Sequence, residues 1–115
     1  GPKRLLYQMG IGDAQVPNLM TYSMVRTMGL ALLGPPVEAV FGIGQVPAPA
    51  PSAFVQFDIG QMPRPGDTNV PPGDNKVHEA IRRLEAAKAQ LQEFLREDGQ
   101  VLDTCGGKPC VFPTP

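Results

Sequence analysis

Two side chains in this sequence have the type and setting for proton-transfer chemistry: Asp13 and His78. Asp13 stands in Leu5-Leu6-Tyr7-Gln8-Met9-Gly10-Ile11-Gly12-Asp13-Ala14-Gln15-Val16-Pro17-Asn18. Leu5 to Met9 is a short, mostly apolar run, as a strand covered on both faces carries. Gly10 and Gly12 then let the chain turn sharply, because a residue without Cβ tolerates positive φ. The carboxylate therefore belongs at the C-terminal end of a strand, the edge where ligands and chemistry collect in open α/β sheets. His78 is the single histidine of the chain. It follows a long polar loop and opens a helix, and an imidazole can take and return protons near neutral pH. Turn or cap chemistry for Asp13, and a surface position for His78, are the plain alternatives. Asp58 and Asp67 are further acids at or after a strand end.

A nucleophile is harder to find. The serines are Ser23, inside a helix candidate, and Ser52, at the start of a strand, and no Gly-x-Ser-x-Gly elbow occurs. Cys105 and Cys110 fall close together in Cys-Gly-Gly-Lys-Pro-Cys, where the glycines and proline make a tight turn easy. The expectation is a structural disulfide pinning the tail, and so an oxidising compartment, extracellular or periplasmic. The spacing is not that of a thioredoxin-like motif, and two thiolates are too few for a structural zinc site.

The elements that must position these residues alternate in type. Asn18 to Met28 predicts a helix with Asn18 as N-cap and Arg26 in its last turn, ended by Gly29. Its stripe of Leu19, Tyr22, Met24, Val25 and Met28 is expected to pack in the core. Leu30 to Leu33 is a short apolar run, and Val37 to Ile43 reads as another extended piece. Gln45 to Pro51 alternates Pro and Ala and predicts a polyproline-like connection. Ser52 to Ile59 predicts a second clear strand. The loop from Gln61 to Lys76 carries Asp67, Asn69, Asp74 and Asn75. These do not match the spacing of a calcium-binding EF-hand loop and suit turns and caps. Val77 to Glu97 predicts one long helix, with Asn75 as N-cap and Asp98-Gly99 as its end. Val77, Ile81, Leu84, Ala87, Leu91, Phe94 and Leu95 form its apolar face, with Gln90 at the border.

Composition narrows the possibilities. The 115 residues suffice for one small domain, but 13 Gly and 14 Pro imply long connections between a few ordered elements. Such connections fit a segment wrapped over a larger body. A formal net charge of −1 gives no electrostatic basis for nucleic-acid binding, and no apolar run reaches membrane-spanning length. No signal-peptide pattern opens the chain, and Gly1-Pro2 looks like the scar of a cleaved affinity tag.

Gly10-x-x-Asp13-x-x-Val16-Pro17 resembles the segment that carries the triad acid in the α/β-hydrolase family. The order of elements around it (strand, Asp, helix, strand, loop, His, amphipathic helix) extends the resemblance from Lys3 to about Val101. It implies the C-terminal part of an α/β-hydrolase-like sheet, with two or more strands, two helices and long Pro-rich loops. Residues 3–101 would form that part and residues 102–115 a disulfide-pinned tail. By the same resemblance Asp13 is the triad acid and His78 the histidine, on one edge of the sheet. The serine and oxyanion hole would come from the remaining N-terminal part of the hydrolase, on the same or a cleaved chain. A small-molecule ester or acyl substrate and no cofactor are then expected. The competing expectation is a non-catalytic binding or structural module of a secreted protein.

Overall fold

The structure is a computed structural model and describes residues 2–60 and 73–112. Asp67, Asn69, most of the long polar loop and Gly1 of the expected tag scar lie outside the described residues. Four strands, β1 (Leu6–Gly10), β2 (Leu32–Leu33), β3 (Gln45–Val46) and β4 (Ala53–Phe57), form one parallel sheet in the order β1-β4-β2-β3. Three helices, α1 (Asn18–Met28), α2 (Val77–Ile81) and α3 (Glu85–Phe94), complete an α/β architecture.

The period-two geometry of a strand sends alternate side chains to opposite faces. Ala53, Val55 and Phe57 of β4 pack with Val77, Ile81, Ala87 and Val101, the face covered by α2 and α3. Phe54 joins Met9, Val25, Leu30 and Leu32 on the other face, beside α1. Every residue of β4 is buried, as a central parallel strand requires. Leu6 pairs with Ala53 and Gly10 with Phe57, so β1 and β4 end together. Their shared carboxyl edge is where the chain passes through Asp13.

Several elements depart from the sequence expectation. Residues Val37 to Ile43 form no strand; the outer strand is instead Gln45–Val46, at the start of the expected polyproline connection. Leu32 N–H donates to Gly44 O at 2.8 Å and Gly34 N–H to Val46 O at 2.9 Å, and this pairing outweighs the local proline preference. The long helix is broken. Leu84 has an extended backbone, φ −64° and ψ 130°, between α2 and α3. The break re-phases the helix: Gln90 is 1% exposed and Leu91 42%, the reverse of the expected register. Gln90 is drawn inward because Oε1 accepts from Gln8 at 2.9 Å and Nε2 donates to Leu102 O at 2.8 Å. On α1 the methionines are not core. Met20, Met24 and Met28 are at least 40% exposed, and the buried positions are Thr21 and Val25.

Cys105 and Cys110 are joined by a disulfide. The tail they shape continues the sheet: Asp58 N–H donates to Cys110 O and Phe112 N–H to Asp58 O, at 2.8 and 2.7 Å. A cross-link closing so short a loop removes about 2 kcal/mol of denatured-chain entropy. Reduction, or Cys105→Ser with Cys110→Ser, is therefore expected to lower unfolding free energy by about that amount in urea titrations. No change on reduction would show that the cross-link contributes nothing to the stability of the fold.

Candidate functional site

Asp13 reaches its position through backbone constraints. Gly10 closes β1, and Gly12 takes φ +83°, a turn open to glycine at little cost. Asp13 Oδ1 then accepts from the backbone N–H groups of Gln15 and Val16 at 2.8 and 2.9 Å. This local turn consumes one carboxylate oxygen and fixes the direction of the other. Oδ2 lies 2.7 Å from His78 Nδ1. The acid is buried, with its side chain 9% exposed, and the imidazole is 40% exposed. A carboxylate can only accept, so Nδ1 carries the proton of this contact and Nε2 is the nitrogen left to act as a base.

His78 is placed by α2. Val77 and Ile81 of that helix lie directly on Gly10 of β1. A Cβ on Gly10 would lie 2.6 Å from both Val77 Cγ1 and Ile81 Cγ1, too close without displacement of buried side chains. Gly10→Ala is thus expected to destabilise the fold by about 1–3 kcal/mol and to shift α2, and His78 with it, off the acid. Denaturant titration reads the first effect and the chemical shifts of the single histidine the second. Wild-type stability in this variant would contradict the close packing.

The two asparagines expected as caps do something else. The residue preceding α1 is Pro17, and Asn18 turns back on the acid loop. Its Nδ2 donates to Gly10 O and its Oδ1 accepts from Gly12 N–H, both at 2.8 Å. The residue preceding α2 is Lys76, at φ +65°. Asn75 Nδ2 donates to Gly12 O at 2.6 Å, and its Oδ1 accepts from Val77 N–H at 3.3 Å. Both cross-links escape sequence reading, because local propensity scores Asn for caps and turns and is blind to distant partners. The exposed Asp74–Lys76 pair, 2.7 Å apart, precedes this junction. The Lys76 ammonium holds the Asp74 carboxyl below its ordinary value, and Asp74 raises the Lys76 amine. The pair contributes between the ordinary values 3.8 and 10.5, fading as pH falls below the first or rises above the second.

Asp58 does not join His78. It is buried, its Oδ1 accepts from Gly60 N–H at 2.7 Å, and its backbone pairs with the tail. Ser23 lies within α1, and Ser52 Oγ accepts from Leu5 N–H at 2.9 Å, so neither stands at the pair. No group of three or more metal-binding side chains occurs among the described residues.

A groove of about 240 Å3 opens beside His78. Tyr7 and Gln8 of β1 floor it, Val16 and Thr21 wall one side, and Ile81 and Arg82 the other. It runs along the outer edge of β1. Leu5 O accepts from Ala53 N–H and Ile11 N–H donates to Phe57 O, so the odd-numbered peptide groups of β1 face β4. The even-numbered groups, those of Leu6 and Gln8, point the other way. Among the described residues no strand pairs with that edge. Thr21 Oγ1 is buried in the groove wall without a hydrogen-bond partner among the described residues. No family model matches this chain, and neither do any curated protein or solved structure.

Proposed function

We propose that this chain supplies the acid and the histidine of a Ser-His-Asp triad in a secreted hydrolase of the α/β-hydrolase type, acting on carboxylic esters. The observation that carries the reading is the 2.7 Å contact between Asp13 Oδ2 and His78 Nδ1 at the carboxyl edge of a parallel sheet. In such a triad the histidine takes the proton of the serine hydroxyl through Nε2 and returns it to the leaving alkoxide. The carboxylate holds the ring in the tautomer with Nδ1 protonated and stabilises the imidazolium that forms. A buried acid beside a half-exposed imidazole suits that division of labour.

The serine and oxyanion hole belong, in this reading, to further polypeptide lying along the outer edge of β1. The peptide groups of Leu6 and Gln8 on that edge, the flanking helices, the Thr21 hydroxyl, without a partner among the described residues, and the exposed methionines of α1 support such a docked strand. A parallel strand there would end near His78. The disulfide supports an extracellular or periplasmic setting. No helix among the described residues is long and apolar enough to cross a membrane.

The test is ester turnover by the protein that unites this chain with a Gly-x-Ser-x-Gly serine. His78→Ala should reduce it to background. Turnover near wild type in that variant would end the hydrolase assignment and return the chain to a binding module.

A further inference from the structure

The acid loop and the histidine helix lie far apart in sequence, and a hydrogen bond between two mobile segments would not hold one geometry. The structure supplies a clamp. Gly12, one residue before the acid, is held on both sides of its peptide unit. Its N–H donates to Asn18 Oδ1 at 2.8 Å, and its carbonyl accepts from Asn75 Nδ2 at 2.6 Å. Asn18 also takes the Gly10 carbonyl, at 2.8 Å, so it fixes the loop at both ends of Ile11. Asn75 reaches in the other direction as well. Its Oδ1 accepts from Val77 N–H at 3.3 Å, the first residue of α2 and the neighbour of His78. One side chain therefore ties the turn before the acid to the turn before the histidine.

We infer that Asn75 is a positioning residue that sets the register of Asp13 on His78, with Asn18 holding the acid loop from the other side. The assignment rests on the acid–histidine reading of the pair. Asn75 touches neither reacting atoms nor substrate; it acts through the Gly12 carbonyl and the start of α2. An amide is suited to the position, since it must donate to a carbonyl with one atom and accept from an N–H with the other. Aspartate keeps the acceptor and loses the donor, so Asn75→Asp separates the clamp from the local turn at Val77.

The readout is the His78 Nδ1–H proton in this chain, observed by NMR and free of overlap because the sequence holds a single histidine. In the wild type a ring proton held by a carboxylate at 2.7 Å should appear far downfield and exchange slowly with water. In Asn75→Asp that proton should exchange roughly tenfold faster, the scale of one lost hydrogen bond, while the Val77 amide keeps its protection. Asn75→Ala should lose both. A ring proton unchanged in both variants would overturn the inference. So would unfolding of both variants, because the role would then be purely structural. The measurement needs no serine, so its outcome is separate from that of the ester assay. A clamp seen without turnover in the parent protein would keep the positioning and discard the hydrolase.

Discussion

On the proposed triad reading, Asp13→Asn should lower the ester turnover of a protein that unites this chain with a Gly-x-Ser-x-Gly serine about ten-thousandfold, the scale on which a triad falls when its carboxylate becomes an amide. The substitution is conservative in shape. Asn keeps an Oδ1 to accept from Gln15 and Val16, so the turn at the end of β1 is retained. What changes is the group facing His78 Nδ1. An amide NH2 there must donate, which forces the ring proton onto Nε2 and removes the base. It also removes the negative charge that stabilises the imidazolium. The loss should fall on kcat, with circular dichroism unchanged. A decrease of less than about tenfold would contradict the role given to Asp13, since residual triad chemistry does not survive the wrong tautomer at that level.

Phe54→Ala should cost about 3–5 kcal/mol, a large fraction of the stability of a domain this size. Phe54 is fully buried near the start of β4, a strand with neighbours on both sides. The rings of Tyr7 and Tyr22 meet it edge-on, with centroids 6.2 and 6.0 Å away. Truncation leaves a cavity walled by β1, α1 and β2, and the strands cannot close on it without breaking the parallel register. Phe54→Leu should recover a large part of the loss. Urea titration measures both, and a loss below about 1 kcal/mol for the alanine variant would show that the site collapses freely. The ring lies on the α1 face, opposite α2, so the leucine variant should leave the His78 ring proton in place.

Much of the framework was legible in the sequence because its signals are local. The bounds of α1 follow from Pro17 and Gly29, and the left-handed Gly29 closes the helix as its position implies. β1 and β4 announce themselves by apolar runs that end at glycine. The tail disulfide follows from two cysteines separated by turn formers. What was not legible depends on partners distant in the chain. Gln90 looks like a border residue on a helical wheel, yet Gln8 and the Leu102 carbonyl hold it in the core. The break at Leu84 carries no proline or glycine, and arises where α2 must rest on Gly10 while α3 turns Gln90 inward. The methionine stripe of α1 has core composition but faces outward, since Val25 and Thr21 are the positions that meet the sheet. For the site itself, the acid and the histidine could be picked out singly, by strand end and by residue type. Their contact, and the asparagines that hold it, required the fold.

The most direct test of the central claim is active-site labelling of the protein isolated from its natural source. A fluorophosphonate reacts with a serine only when a neighbouring base activates it. After labelling, intact mass under denaturing conditions identifies the species that carries the tag. A labelled Gly-x-Ser-x-Gly serine is the expected result, either on a longer polypeptide that includes this sequence or on a second chain that co-purifies with it. Absence of any labelled serine in association with this chain would contradict the account, and the pairing of Asp13 with His78 would then be a structural contact alone.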